Sequence, residues 1–338
     1  MTASAVAIRL FEGAPLPDAL RRAAVEALVG RARRTLAVAS DVAAFAASME
    51  GRPIAEHADA ANTQHYELPA AFFENILGPR LKYSACLYPS GGESLAEAEE
   101  FALAETCARA GIVDGQDILE LGCGWGSLSL WMAGAYPLAR ILSVSNSASQ
   151  RAFIEDRARA LGLGNLTVIT ADMNDFEPER RFDRVVSVEM FEHMANWRAL
   201  LSRIRAWLKV DGRLFLHVFS HRQTAYRFEA SDEDWIGRYF FTGGLMPAHD
   251  LASTFPDLFR VEADWRWSGA HYARTARQWL DNFDRNGDVL RVVLRDTYGD
   301  QAVLWRRRWR LFFLATEGLF GHDRGQTWGV SHHLLAPV

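Results

Sequence analysis

A chain of 338 residues with an apolar share of 49% is long enough for one large α/β domain or for a domain plus a smaller unit. The net charge of −5 argues against a nucleic-acid partner, whose phosphates need a basic face, and gives no support for stable docking on an anionic membrane. Three cysteines without a C-x-x-C pair read as reduced thiols. No window reaches the ~20 apolar residues of a membrane span and no signal peptide is evident, so a cytoplasmic protein is expected.

Residues 15–50 are rich in Ala, Leu, Val and Arg at helical spacing. Ala19, Leu20, Ala23, Leu28, Leu36, Val42 and Phe45 predict two helices whose apolar faces pack on something else. Gly51 to Gln64 is polar, with a break at Gly51-Arg52-Pro53, and reads as a link between a helical extension or lid (1–65) and the main domain (66–338). Tyr66, Phe72, Phe73, Tyr83 and Tyr88 form a dense aromatic group, and a helix is expected over 95–110.

Ile118-Leu119-Glu120-Leu121 then reads as a buried strand that runs into glycines at 122, 124 and 126. Leu128, Leu130, Trp131 and Met132 begin the helix after it. A dinucleotide fingerprint, G-x-G-x-x-G, asks for its third glycine where Ser127 stands. Glu120, two places before the first glycine, instead makes the turn resemble the E/D-x-G-x-G-x-G turn of S-adenosylmethionine (SAM) dependent methyltransferases.

Arg140–Ser145, Leu166–Ala171, Asp183–Val188 and Arg213–Phe219 read as further strands, alternating with helices over Gln150–Leu161 and Trp197–Leu208, the latter ended by Asp211-Gly212. This rhythm makes a doubly wound parallel sheet. Phe259–Ala263 and Ser331–Leu335 are the expected last two strands, around a helical and aromatic insertion at about 220–325. In such a sheet ligands sit outside the carboxyl ends of the strands. No acid follows the second strand, but Asn146 and Gln150 can hold a ribose through the same hydrogen bonds without charge. Ser147 is either a helix N-cap or a ligand. After the third strand, Asp172 can accept from an adenine amino group while Met173 packs on the ring; the alternative for Asp172 is a turn residue.

Tyr83-Ser84, the Glu120 to Gly126 turn, Ser147 with Gln150, Glu189-Met190-Phe191-Glu192-His193 and His271-Tyr272-Ala273 occur in this order. Together they resemble the cyclopropane-fatty-acid synthase-like methyltransferases, and within them the coclaurine N-methyltransferase branch. The resemblance runs from about Tyr66 to His333 and includes Arg238 to Gly244 and Trp328 to His332. It implies a class I, Rossmann-like, seven-stranded α/β sheet with helices on both faces and one SAM site, with S-adenosylhomocysteine (SAH) as product. Tyr83 and Ser84 would close over the cofactor, Glu120, Gly122, Gly124 and Gly126 would form the turn at its methionine end, Asn146 and Gln150 would hold the ribose, and Asp172 and Met173 the adenine.

Methyl transfer needs a nucleophile aligned on the methyl with a free lone pair, and an ordinary amine is protonated at neutral pH. Glu189, Glu192 and His193, after the fourth strand, suit that need. If the segment is helical, the two acids share a face and push one pKa upward; the alternative is helix-capping acids beside a packed histidine. The resemblance makes this E-x-x-E-H group the catalytic set of an N-methyltransferase for a small cyclic amine. The lipid branch instead methylates an alkene and passes a proton to a bicarbonate held by Cys, Glu, His and Tyr. Here Glu192, His217 and Tyr272 are possible counterparts, but Ala85 stands in the cysteine's place and Glu189 where the lipid enzymes have glycine. Tyr239, Phe240, Phe241, Trp265, Trp267 and Trp328 are candidate pocket walls, since aromatic faces attract cations, or else core. No metal site is expected, because the cluster has no third spaced ligand. Trp305-Arg306-Arg307-Arg308-Trp309 reads as a helix with a solvated face. Expected partners are a small-molecule amine, no nucleic acid and no membrane insertion, with room for a homodimer.

Overall fold

Asp117–Leu121 (β1) is buried at every position, as a strand covered on both faces must be. Before it lie helices α1 (Asp18–Thr35), α2 (Val42–Ala47), α3 (Ala70–Ile76) and α4 (Leu95–Ala110). After it α5 (Ser127–Ala135), β2 (Arg140–Ser145), α6 (Ala148–Ala160), β3 (Leu166–Thr170), β4 (Phe182–Val188), α7 (Trp197–Trp207) and β5 (Leu208–His221) follow. The remainder holds β6 (Tyr226–Arg227), α8 (Trp235–Tyr239), β7 (Leu245–Met246), β8 (Phe259–Ser268), α9 (Gly269–Arg285), α10 (Gly287–Tyr298), α11 (Ala302–Gly321) and β9 (Trp328–Pro337). The computed structural model describes residues 12, 16–36, 41–56, 68–229, 231 and 234–338; Tyr66 and most of the expected link lie outside them. Among the described residues no helix is long and apolar enough to cross a membrane.

Seven strands form one sheet in the order β3-β2-β1-β4-β5-β9-β8. β1 to β5 are parallel, and β9 pairs antiparallel with both β5 and β8. The order reverses between β1 and β4, so a ligand crevice opens at the carboxyl ends of those two strands. One face is covered by α4 and α5, whose Leu103, Cys107, Leu128 and Met132 meet Ile118, Ile141 and Phe215. The other is covered by α7, whose Trp197, Leu200, Leu201 and Ile204 meet Leu119, Val185 and Leu214. A third core of rings, with Phe72, Phe73, Trp279, Phe283, Trp309 and Phe313, joins α3, α9 and α11.

Several boundaries differ from expectation. α7 ends at Trp207, and Asp211-Gly212 lies inside β5, because Leu208 already pairs with Phe182 across a register shift. β8 and β9 run well past their expected ends, since they pair with one another from Phe259–Pro337 to Ser268–Gly329. β8 also divides the expected insertion in two. On α1 the buried positions are Arg21, Val25 and Val29, while Leu20 and Leu28 are exposed. Apolar residues surround this helix, so spacing alone does not choose a face. The choice is made by α11, where Gly318 leaves room for Val25: a Cβ there would come within 2.4 Å of Val25 Cγ1.

Candidate active site

The crevice between β1 and β4 is a cleft of about 760 Å³ including its open mouth, lined by Gly122, Gly124, Asn146, Gln150, Asp172, Met173, Glu189 and His193 among others. An adjoining hollow is lined by Lys82, Tyr83, Ser84, Glu120, Gly122, Gly124, Trp125, Ser127, Gln150 and Glu189. Gly122 has φ 80°, and a Cβ there would meet Met190 Cβ at 2.7 Å. At Gly124 a Cβ would meet no protein atom within 4 Å and would stand in the cleft itself. The turn therefore opens main chain to a ligand. Gly126 is not on the wall; it is the N-cap residue of α5.

Glu120 is buried and braces this turn: its Oε2 accepts from Ser143 Oγ on β2 at 2.7 Å and from Ser129 Oγ on α5. Burial pushes its carboxyl up to about 6. Ser147 caps α6 by accepting from Gln150 N, and Asp172 closes its own turn by accepting from Asn174 N at 2.7 Å. Gln150 Oε1 accepts from Ser145 Oγ at 2.8 Å, but its buried Nε2 has no partner among the described residues, and neither do Trp125 Nε1 and Ser127 Oγ. All three belong to residues lining the cleft or its hollow. Unsatisfied polar groups around an open glycine turn fit a ligand with the polar ends of SAM.

Glu189 follows β4 with φ 48°, a strained left-handed geometry for a residue with a side chain. Only Phe191–His193 forms a 3-10 turn, so Glu189 and Glu192 do not share a helical face as expected. Glu189 Oε1 accepts from Ala85 N at 3.0 Å and lies 3.3 Å from His217 Nε2; its Oε2 accepts from the Tyr272 hydroxyl at 2.7 Å. Burial raises the carboxyl above its ordinary value, opposed by nearby Lys82 and by these donors. Lys82 is itself buried, its Nζ donating to Ser84 Oγ and Ala85 O at 2.6 Å each. Glu192 points elsewhere. It is fully buried, is absent from the walls of the cleft and hollow, and accepts from Phe219 N on β5 at 2.6 Å. Burial first, and the Glu189 charge second, raise its carboxyl well above the usual range. His193 lies on the walls of the cleft and of a third cavity, its ring 4.4 Å from that of Phe241.

That third cavity is an aromatic chamber beside the cleft, walled by Phe219, Phe228, Phe241, Tyr272, Trp279 and Phe312, with Tyr83, Glu189 and His193 shared with the cleft or its hollow. Of the expected wall residues, Phe241 and Tyr272 are on it. Tyr239, Phe240 and Trp328 are not: Phe240 is packed among Trp235, Trp305, Trp309 and Phe312, Tyr239 lies under Arg308, and Trp328 is buried against His221. Trp265 and Trp267 also miss the wall, and His217 stands behind Glu189. Helical spacing marks an aromatic as buried but not which cavity it faces. For that reason the walls from Phe219, Phe228 and Phe312 left no signal in the sequence.

The family model of mycolic acid cyclopropane synthetase matches residues 55–328. The chain is 36% identical to the (S)-coclaurine N-methyltransferase of Thalictrum flavum subsp. glaucum over 85% of its own length and 81% of that protein. It is 30% identical to the cyclopropane-fatty-acyl-phospholipid synthase of Escherichia coli (strain K12), over 79% of its length and 66% of that protein. Its fold matches a crystal structure of coclaurine N-methyltransferase bound to N-methylheliamine and SAH with a TM-score of 0.92 at 33% identity, covering 99% of each chain. With its glycine turn, its unsatisfied cleft and these likenesses, the chain belongs to the mycolic acid cyclopropane synthetase family and is a SAM-dependent methyltransferase.

Proposed function

We propose that the protein methylates the nitrogen of a compact, apolar, cyclic amine of tetrahydroisoquinoline type. The position of Glu189 carries this reading: it lies on the walls of both cleft and chamber and is the one acid among the chamber's described lining residues. Bound in the cleft, SAM supplies an electrophilic sulfonium methyl and leaves as a neutral thioether. Glu189 would take the ammonium proton, so that the nitrogen lone pair can form the new bond. His193, between cleft and chamber, would help orient the nitrogen. Glu192, buried behind them, would position β5 and Glu189. The rings of Phe241, Tyr272 and Trp279 would hold the hydrocarbon part, attract its cationic form and exclude water.

Likeness to proteins named as coclaurine N-methyltransferases supports an amine acceptor. So does the fate of the groups that the lipid chemistry would need for bicarbonate. His217 and Tyr272 are already engaged with the Glu189 carboxylate. Residues 1–65 are read as an N-terminal helical extension or lid, of which α1 lies on α11, and a homodimer is allowed.

The deciding experiment is transfer of labelled methyl from SAM to tetrahydroisoquinolines and, separately, to vesicles of unsaturated phospholipid. Label is expected in the amine alone. Label found only in the vesicles makes the amine reading wrong.

A further inference from the structure

Arg109 on α4 and Glu189 after β4 are joined through two buried imidazoles. Arg109 Nη1 lies 2.8 Å from His332 Nδ1 on β9, His332 Nε2 lies 2.9 Å from His217 Nδ1 on β5, and His217 Nε2 lies 3.3 Å from Glu189 Oε1. The two histidines meet because they are register partners in the β5–β9 pair. Both are fully buried, and the Trp267 ring packs against each. Arg109 is held in turn by Glu105, at 2.7 Å, and by the faces of Trp265 and Trp267.

A guanidinium only donates. His332 Nδ1 must therefore accept, which puts its proton on Nε2. His217 Nδ1 must accept that bond, which puts its own proton on Nε2, facing Glu189. The direction of every bond is thus set from the Arg109 end. An imidazolium at either position would oppose one N–H to another, and burial also holds both rings below their ordinary pKa.

We propose that Arg109, acting through His332 and His217, fixes the tautomers that aim an N–H at Glu189 and so keeps this carboxyl ionised and oriented as the proton acceptor. The inference rests on the reading of Glu189 as base. Arg109, His332 and His217 are positioning residues. Without Arg109, the His332 Nδ1 loses its donor and the chain can reverse. His217 then presents a lone pair to Glu189 Oε1, and the carboxyl gains a proton more readily.

Other ionisable groups also face this chain. Lys82, Tyr83 and Cys86 precede α4, Glu99 and Glu105 lie on α4, and Glu192 and His193 follow β4. Tyr272 approaches from α9 and His333 from β9. An Arg109 variant retains all of them, so the difference between its pH profile and the wild-type profile reports on the relay.

The test is kcat/KM against pH for wild type, Arg109→Leu and Arg109→Lys with tetrahydroisoquinoline as acceptor, together with ¹⁵N NMR of histidine-labelled wild-type enzyme. In Arg109→Leu the acid limb is expected to move up by about one pH unit, the effect of losing one hydrogen bond to a charged group. Arg109→Lys, which keeps a donor, should return most of that shift. In the wild type both His217 and His332 should be neutral with the proton on Nε2. A lower rate in Arg109→Leu with an unmoved limb would reduce Arg109 to a structural residue and overturn the proposal. A proton on Nδ1 of either ring does the same and needs no variant to fold. Full turnover in Glu189→Gln would overturn the reading of Glu189 as base, and the NMR result separates that outcome from a failure of the relay.

Discussion

Glu189 takes hydrogen bonds from Ala85 and Tyr272 and faces His217, while burial works against its charge. Glu192, three residues on, is turned into the protein and linked to Phe219 N. The two acids are therefore expected to respond differently to the same isosteric change. Glu189→Gln should lower kcat by roughly 100- to 10,000-fold, the range of a lost general base. Glu192→Gln keeps an acceptor for Phe219 N and should cost no more than about tenfold, the equivalent of one neutral hydrogen bond. Binding of SAH, measured by calorimetry, should change little in either variant. Equal losses of kcat would show that the wall position of Glu189 does not matter. The E-x-x-E-H motif was legible in the sequence. That its members separate was not, because the separation depends on a left-handed backbone at Glu189. Arg109 and His332 were also invisible, being 223 residues apart and joined only by a contact between helix α4 and strand β9.

At the scale of elements, the cleft depends on how β1, β2 and α5 are clamped together. Glu120 holds both Ser143 and Ser129 from the buried side of the turn. Its carboxyl lies at about 6 when folded, against an ordinary 4.5, so the folded chain binds this proton more tightly than the unfolded chain does. Its contribution to stability is therefore largest below pH 4.5 and declines as pH rises to about 6, by about 2 kcal/mol in all. Glu120→Gln should remove that decline. Urea unfolding of both proteins across this window checks it, and an unchanged slope in the variant assigns the titration to another group. The strand–glycine–helix run around Glu120 was readable from sequence because strand burial and turn chemistry are local. The full length of β8 and β9 was not, since each is set by pairing with the other.

Over the whole molecule, α11 joins two parts through opposite faces. Phe312, Thr316, Leu319 and Phe320 line the aromatic chamber, while Gly318 receives Val25 of α1. Changes in the docking of α1 should therefore reach the chamber before the cleft. Gly318→Val would force the two helices apart and should cost about 1–3 kcal/mol, as overpacking does. Its Tm should fall and KM for the amine should rise, with the Kd for SAH unchanged. A variant with lower Tm but an unaltered KM would confine α1 to a purely stabilising part.

The sequence by itself determined the sheet, the glycine turn and the class of cofactor, because strand burial, helical periodicity and turn chemistry are properties of neighbouring residues. It also placed the acid and histidine group after β4. Tertiary structure alone decided which aromatics wall the chamber, which acid faces it and what stands behind that acid. Those choices depend on the side toward which a buried residue points and on contacts between residues up to 223 positions apart. No local pattern encodes either.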